Sequence, residues 1–133
     1  MRRSPSLAWA LLAAMAAIQV YALYLHAPAP GPGLPYLDKV AHLLIFGVPA
    51  ALAAALRLRW VLVALAIHAV SSEPLQGWLP VARSPDMWDL VADLLGIVAG
   101  MLIGRGVVAR MNPKAARRAR AAAAEHTHEL GPR

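Results

Sequence analysis

The sequence predicts an all-α membrane domain: a four-helix transmembrane bundle with short loops and both termini cytoplasmic. Three observations predict it. The 133-residue chain is 59% hydrophobic and only 15% charged, whereas a soluble chain is about one quarter charged. Its apolar residues fall into four blocks, Ser6 to Leu25, Val40 to Leu56, Trp60 to about Leu75, and Trp88 to about Ile103, on the scale of the roughly 20 residues that cross a bilayer. Its basic residues also alternate between loops. Arg2 and Arg3 precede the first block, Arg57 and Arg59 separate the second from the third, and Arg105, Arg110, Lys114, Arg117, Arg118 and Arg120 follow the fourth. The other two loops carry only Lys39 and Arg83, so the positive-inside rule turns those loops outward. With helices at about 6–25, 38–56, 60–76 and 88–104, residues 1–106 form one domain and 107–133 a basic, largely disordered cytoplasmic tail.

The first block follows MRRSPS and ends near Ala27-Pro28-Ala29, which resembles a secretory signal with a small-residue cleavage site. The run is too long for a signal core and right for a span, so it is read as a helix. Trp9 and Trp60 would mark the inner interface, and Tyr21, Tyr24, Tyr36, Trp78 and Trp88 the outer one. The stretch from His26 to Leu37 is rich in proline and glycine and forms an outer loop. Asp38 then stands where a helix N-cap would, and Gly47 and Pro49 should bend the second helix. Glu73-Pro74 should distort the last turn of the third helix. Gly77, Pro80 and Pro85 break the connection to the fourth helix, on which Gly96, Gly100 and Gly104 repeat every four residues, a stripe that lets another helix approach closely. The tail ends in HTHELGPR; His126 and His128 there are weak evidence of a metal.

Several functions are excluded. The formal charge of +6 follows topology rather than a patch, which removes nucleic acid as a partner. The absence of cysteine removes disulfides, thiolate ligands and a cysteine nucleophile. There is no Gly-x-Ser-x-Gly elbow and no His-Glu-x-x-His zinc helix.

What remains is a polar constellation. Asp38 and His42 lie one turn apart on the second helix, and Asp89 and Asp93 share the glycine face of the fourth. His68, Ser72 and Gln76 form a stripe on the third helix with Glu73 beside it; His68 itself reads as a packed, hydrogen-bonded histidine. Asp86, beside Ser84 and Pro85, reads as a turn residue or cap. Asp38, Glu73, Asp86, Asp89 and Asp93 face only Lys39 and Arg83, an excess of acid that raised pKa values, a cation or water must relieve. Glu73 and Asp93 lie inside hydrophobic segments, where a charge costs a few kcal/mol and needs a partner or a task. His42, Glu73, Asp89 and Asp93 are the candidate catalytic residues, and Asp38, Lys39, Gln76 and Arg83 the candidate binding residues. Their oxygen donors and an imidazole would suit a divalent cation.

The ordered set DKVAH at Asp38 to His42, Glu73 with Gln76, Pro80 and Arg83, then Asp89 before a glycine-rich helix resembles the VanZ-like family of small bacterial membrane proteins. That family's pattern is Asp-Lys-x-x-His, Glu-x-x-Gln, and Arg followed by Asp-x-x-x-Asn before Gly-x-x-x-Gly. The resemblance covers about Leu37 to Gly104. Asp38, Lys39, His42, Glu73, Gln76, Arg83 and Asp89 match, whereas Asp93 stands where the family has asparagine. The resemblance implies a place in the cell envelope and an association with teicoplanin resistance. Two functions fit the residues. One is a pocket binding an envelope component, a lipid-linked precursor, a head group or a glycopeptide, with Lys39 and Arg83 holding anionic groups. The other is an integral-membrane enzyme on such a substrate, with His42 or Glu73 as acid or base.

Overall fold

The structure is a computed structural model that describes residues 5–26, 36–78 and 86–112. Arg83, both prolines beside it, the two N-terminal arginines and the tail from 113 onward lie outside the described residues. The described residues are all-helical: α1 (Pro5–Val20) runs into a π-helical turn (Tyr21–Leu25), followed by α2 (Leu37–Ala55), α3 (Arg59–Trp78) and α4 (Met87–Met111).

Three stretches, Ser6–Leu25, Leu37–Ala55 and Met87–Met111, are long and apolar enough to cross a membrane. The third of the four expected spans, α3, has 20 residues but a polar second half: His68, Ser71, Ser72, Glu73 and Gln76. Those residues do not face outward as a set. Ser72, Glu73 and Gln76 are buried, while Trp60, Val63, Ile67, Val70 and Trp78 are exposed. The helix is therefore apolar outside and polar inside, the reverse of a helix on a soluble protein. The same inversion holds elsewhere. Gln19, His42 and Asp93 are buried, while Leu7, Ile18, Leu44, Val48, Leu95 and Leu102 are exposed. Such a surface suits a lipid bilayer.

α2 and α4 form the central pair and run parallel. A Cβ added at Gly96 would strike the Leu43 carbonyl, one at Gly100 the Gly47 carbonyl, and one at Gly104 the Ala51 carbonyl. Both series advance by four residues, so the two backbones touch along one ridge over about two turns. From the other side, a Cβ on Gly47 would lie 3.1 Å from the Gly96 oxygen. α3 returns antiparallel beside this pair, placing His68 against Phe46 with ring centroids 5.5 Å apart. Phe46, Ala50, Leu65, Ala69, Leu23 and Ile97 make the apolar core.

Local chemistry sets the element ends. The α2–α3 turn is closed by two bonds, Arg57 N–H to the Ala54 carbonyl at 3.1 Å and Leu58 N–H to Ala53 at 2.8 Å, the pairing of a Schellman motif. Arg57 holds the left-handed position, φ 59°, where glycine is usual. Asp38 is not the N-cap expected of it: α2 starts one residue earlier, capped by Tyr36 at φ 64° without a side-chain bond. Asp38 sits in the first turn instead, where an acid still meets the positive end of the dipole. The cap expected at Asp86 is present, its carboxylate accepting from Trp88 N–H at 2.9 Å.

Two helices run longer than expected. α3 continues through Pro74 to Trp78, two residues past the expected 76; the proline removes only one helical N–H donor. α4 runs to Met111, seven residues beyond the expected 104 and past the domain boundary drawn at 106. Its 25 residues span about 37 Å at 1.5 Å per residue, more than the roughly 30 Å hydrocarbon core, so the turns carrying Arg105 and Arg110 outlast the apolar stretch. α2 stays continuous through Pro49.

Gly100→Val should lower the thermal midpoint in detergent by an amount corresponding to about 3 kcal/mol, because the new side chain must push the α2 and α4 backbones apart. Gly106, which has nothing within 4 Å of an added Cβ, should accept valine with little change. Equal loss at both positions would contradict the close α2–α4 approach.

Candidate functional site

The parallel pairing brings the first turns of α2 and α4 side by side, with the end of α3 against them. Lys39 stands at the centre of the resulting charge cluster. Its ammonium lies 3.0 Å from Asp38, 2.5 Å from Asp86 and 2.5 Å from Asp89. The side chain is only 22% exposed, and Asp89 only 13%. The cation expected to hold an anionic ligand is thus held by three carboxylates of its own chain. The same cluster is where the oxygen donors gather. Oxygens of Asp38, Asp86 and Asp89, a set able to hold a cation, lie within 4.8 Å of one another, and the Lys39 ammonium lies within 3.0 Å of each carboxylate.

One turn deeper, His42 is buried between two aspartates. Its Nδ1–H donates to Asp93 Oδ1 at 2.9 Å, and Nε2 lies 3.7 Å from Asp89 Oδ2. Asp93 is fully buried. Glu73, from α3, accepts the Asp86 backbone N–H through Oε2 at 2.7 Å, which ties the end of α3 to the start of α4. Gln76 lies one turn further along α3 and is also buried. Three buried polar atoms among the described residues have no hydrogen-bond partner: Glu73 Oε1, Gln76 Nε2 and Asp93 Oδ2. An unsatisfied buried polar atom costs about 1–3 kcal/mol, so two acceptors and one donor stand ready for a ligand or water. Of the eight residues singled out in the sequence, the structure brings seven to this end of the molecule, and Arg83 lies outside the described residues.

A second polar network was not legible as such. Pro49 has no N–H, which leaves the Ile45 carbonyl without its helical donor. Gln19 of α1 supplies the donor instead, Nε2–H to Ile45 O at 3.1 Å. Its Oε1 accepts from His68 Nδ1 at 3.3 Å, and His68 Nε2 accepts from the Tyr24 hydroxyl at 2.9 Å. This chain of partners sets the neutral Nδ1–H tautomer of His68. Tyr24, placed in the outer aromatic belt on sequence grounds, turns its hydroxyl inward to His68. The π-helical turn at Tyr21–Leu25 widens the helix where Leu23 and Tyr24 both face the core. A signal existed: a lone amide, Gln19, in an apolar run needs a partner, and an interior proline creates one.

Asp86 precedes the apolar stretch of α4. The Lys39 ammonium bonded to it, helped by Trp88 N–H, holds its carboxyl below the ordinary 3.8. A depressed folded-state pKa contributes stability that is complete above the unfolded value and disappears as pH falls through the folded one.

No protein-family model matches the chain, and neither a curated protein nor a solved structure does.

Lys39→Met should destabilise the fold by about 2 kcal/mol, less than the roughly 3–5 kcal/mol for breaking a fully buried ion pair, because Asp38 and Asp86 are half exposed. Lys39→Met with Asp89→Asn should recover some of that loss in a thermal melt. The acid limb of the melting profile, below pH 3.8, should flatten in Asp86→Asn, which keeps the cap but cannot titrate. Gln19→Leu should cost about 1–3 kcal/mol, since it orphans both Ile45 O and His68. Tyr24→Phe, which removes one half-buried hydroxyl, should cost less.

Proposed function

We propose that this chain is a VanZ-like integral membrane protein of the bacterial cell envelope, a four-helix transmembrane bundle with both termini cytoplasmic. In this reading the pocket of His42, Glu73, Gln76, Asp89 and Asp93 opens toward the outer face and engages a polar group of an envelope component, contributing to teicoplanin resistance. Charge distribution supports the topology: Arg57, Arg59, Arg105 and Arg110 lie at the end of the helices opposite the acid cluster. The observation that carries the binding reading is the set of unpartnered buried atoms, Glu73 Oε1, Gln76 Nε2 and Asp93 Oδ2, beside the His42–Asp93 pair. Because Lys39 is consumed by Asp38, Asp86 and Asp89, the group that suits the pocket offers hydrogen-bond donors. An envelope glycan or lipid-linked precursor with free hydroxyls fits this description better than a bare phosphate.

A second reading is favoured by one feature of the same pocket. His42 is held by Asp93 on one ring nitrogen and faces Asp89 with the other, the arrangement that orients an imidazole for proton transfer. An enzyme acting on a lipid-linked or head-group substrate would use His42 as base or acid and Glu73 as its counterpart.

Substitution in a teicoplanin-sensitive host separates these readings. His42→Gln, Glu73→Gln and Gln76→Leu should each return susceptibility to that of the host without the protein, at unchanged membrane levels. Asp93→Asn, which keeps an Oδ1 acceptor for His42 and is the residue of the resembled family but replaces the unpartnered Oδ2 by a donor, should retain part of the function, whereas Asp93→Leu should lose it. Resistance unaffected by any of these changes would reject the pocket. Product formed from purified lipid-linked precursor, and lost in His42→Gln, would decide for the enzyme. A full-length protein released from membranes by alkaline carbonate would reject the membrane reading itself.

A further inference from the structure

On the outer side of the α2–α4 pair, away from the His42 pocket, lies a groove of about 600 Å³. Tyr36, Val40 and Leu43 line it from α2, and Trp88, Val91 and Leu95 from α4. On each helix these positions advance by three or four residues and so form one continuous stripe. All six are exposed, so nothing in the chain covers the stripe among the described residues. The groove ends where the backbones meet, since Leu43 is the residue whose carbonyl an added Cβ on Gly96 would strike. From Tyr36 to Leu43 the helix rises about 10 Å, so the groove runs for about that length between two helices apolar enough to span a membrane.

The upper end of the groove is different. Lys39 belongs to its lining, and with Lys39 come Asp38, Asp86 and Asp89. Three carboxylates against one ammonium leave two negative charges. Two of those carboxylates, Asp38 at 55% and Asp86 at 40% side-chain exposure, remain open to a further cation. The rings of Tyr36 and Trp88 stand at the same level, 77% and 69% exposed, as aromatic side chains do at head-group depth. An apolar slot that leads to a negatively charged, aromatic-flanked mouth is complementary to one acyl chain of an amphiphile whose head group ends in a positive charge.

We propose that this groove is a binding site for a bilayer lipid whose head group carries a primary ammonium. One acyl chain lies along Val40, Leu43, Val91 and Leu95, and the ammonium donates to Asp38 and Asp86. A primary ammonium has three N–H donors for two carboxylates. A quaternary ammonium has the charge but no donor, and an anionic head group meets repulsion. The site rests on the membrane-spanning reading but not on any role for the His42 pocket. Failure of that reading would show as release by carbonate, whereas failure of the lipid site would show on a protein that stays membrane-bound.

The test uses full-length protein in nanodiscs of equal phosphatidylethanolamine, phosphatidylglycerol and phosphatidylcholine. It is then moved to mild detergent, and the lipid retained is read by native mass spectrometry. Phosphatidylethanolamine should be retained about tenfold over phosphatidylglycerol, as expected for a difference of one net charge at a partly hydrated site, and should also exceed phosphatidylcholine. Asp38→Asn combined with Asp86→Asn, which keeps the cap, should bring phosphatidylethanolamine and phosphatidylglycerol near parity. Val91→Trp should lower retention of all three without altering the preference. Retention in bulk proportions, enrichment of the anionic lipid, or equal retention of the choline lipid would each overturn the proposal. Because the wild-type composition alone can do so, the result does not depend on either variant folding.

Discussion

The contact between the α2 and α4 backbones is the constraint on which the rest depends. Glycine at 96, 100 and 104 removes the side chains that would hold the helices apart, and the carbonyls of Leu43, Gly47 and Ala51 fill the space. Because the pair is parallel and the repeat is four on both sides, the register admits little slippage. That register sets Lys39 beside Asp86 and Asp89, and His42 beside Asp93. A looser pair would leave the same residues as unrelated charges in an apolar chain.

Burying polar groups in such a chain requires each to find a partner within reach, and the partners are distributed in a physically consistent way. Near the helix starts the partners are charges: one ammonium serves three carboxylates, and an imidazole serves the deepest aspartate. Toward mid-helix they become neutral. A proline-freed carbonyl takes an amide, the amide takes a histidine, and the histidine takes a phenol. The neutral network ties α1 and α3 to α2, while the charged one ties the ends of α2 and α4. Neutral groups suit the deeper position because the desolvation cost of an ion grows as water recedes.

Lys39 changes the meaning of the acid excess. Counted along the chain, it is one of two bases facing five acids and a natural holder of anions. In space its valence is used within the protein, and the cluster as a whole stays negative. The hydrogen-bonding character of the pocket follows: unpartnered Glu73 and Asp93 oxygens and one Gln76 N–H favour donors over phosphates. The same charge reaches the outer groove through Asp38 and Asp86, so one cluster shapes both faces of the α2–α4 pair.

Helix content, helix order and the glycine face were legible in the sequence because each follows from composition and from periods of three and four residues. So was the gathering of Asp38, His42, Glu73, Gln76, Asp89 and Asp93, since acids inside apolar segments must seek one another or water. The cap at Asp86 was readable from the turn chemistry before it, and its absence at Asp38 was not, because a backbone conformation at Tyr36 decided it. Tertiary structure alone decided which acid Lys39 serves, since a long side chain with three donors can choose only among neighbours that another helix brings. It likewise decided that Gln19 answers Pro49, 30 positions apart in the sequence. Sequence pattern determines which face of a helix is buried; only packing determines what that face meets.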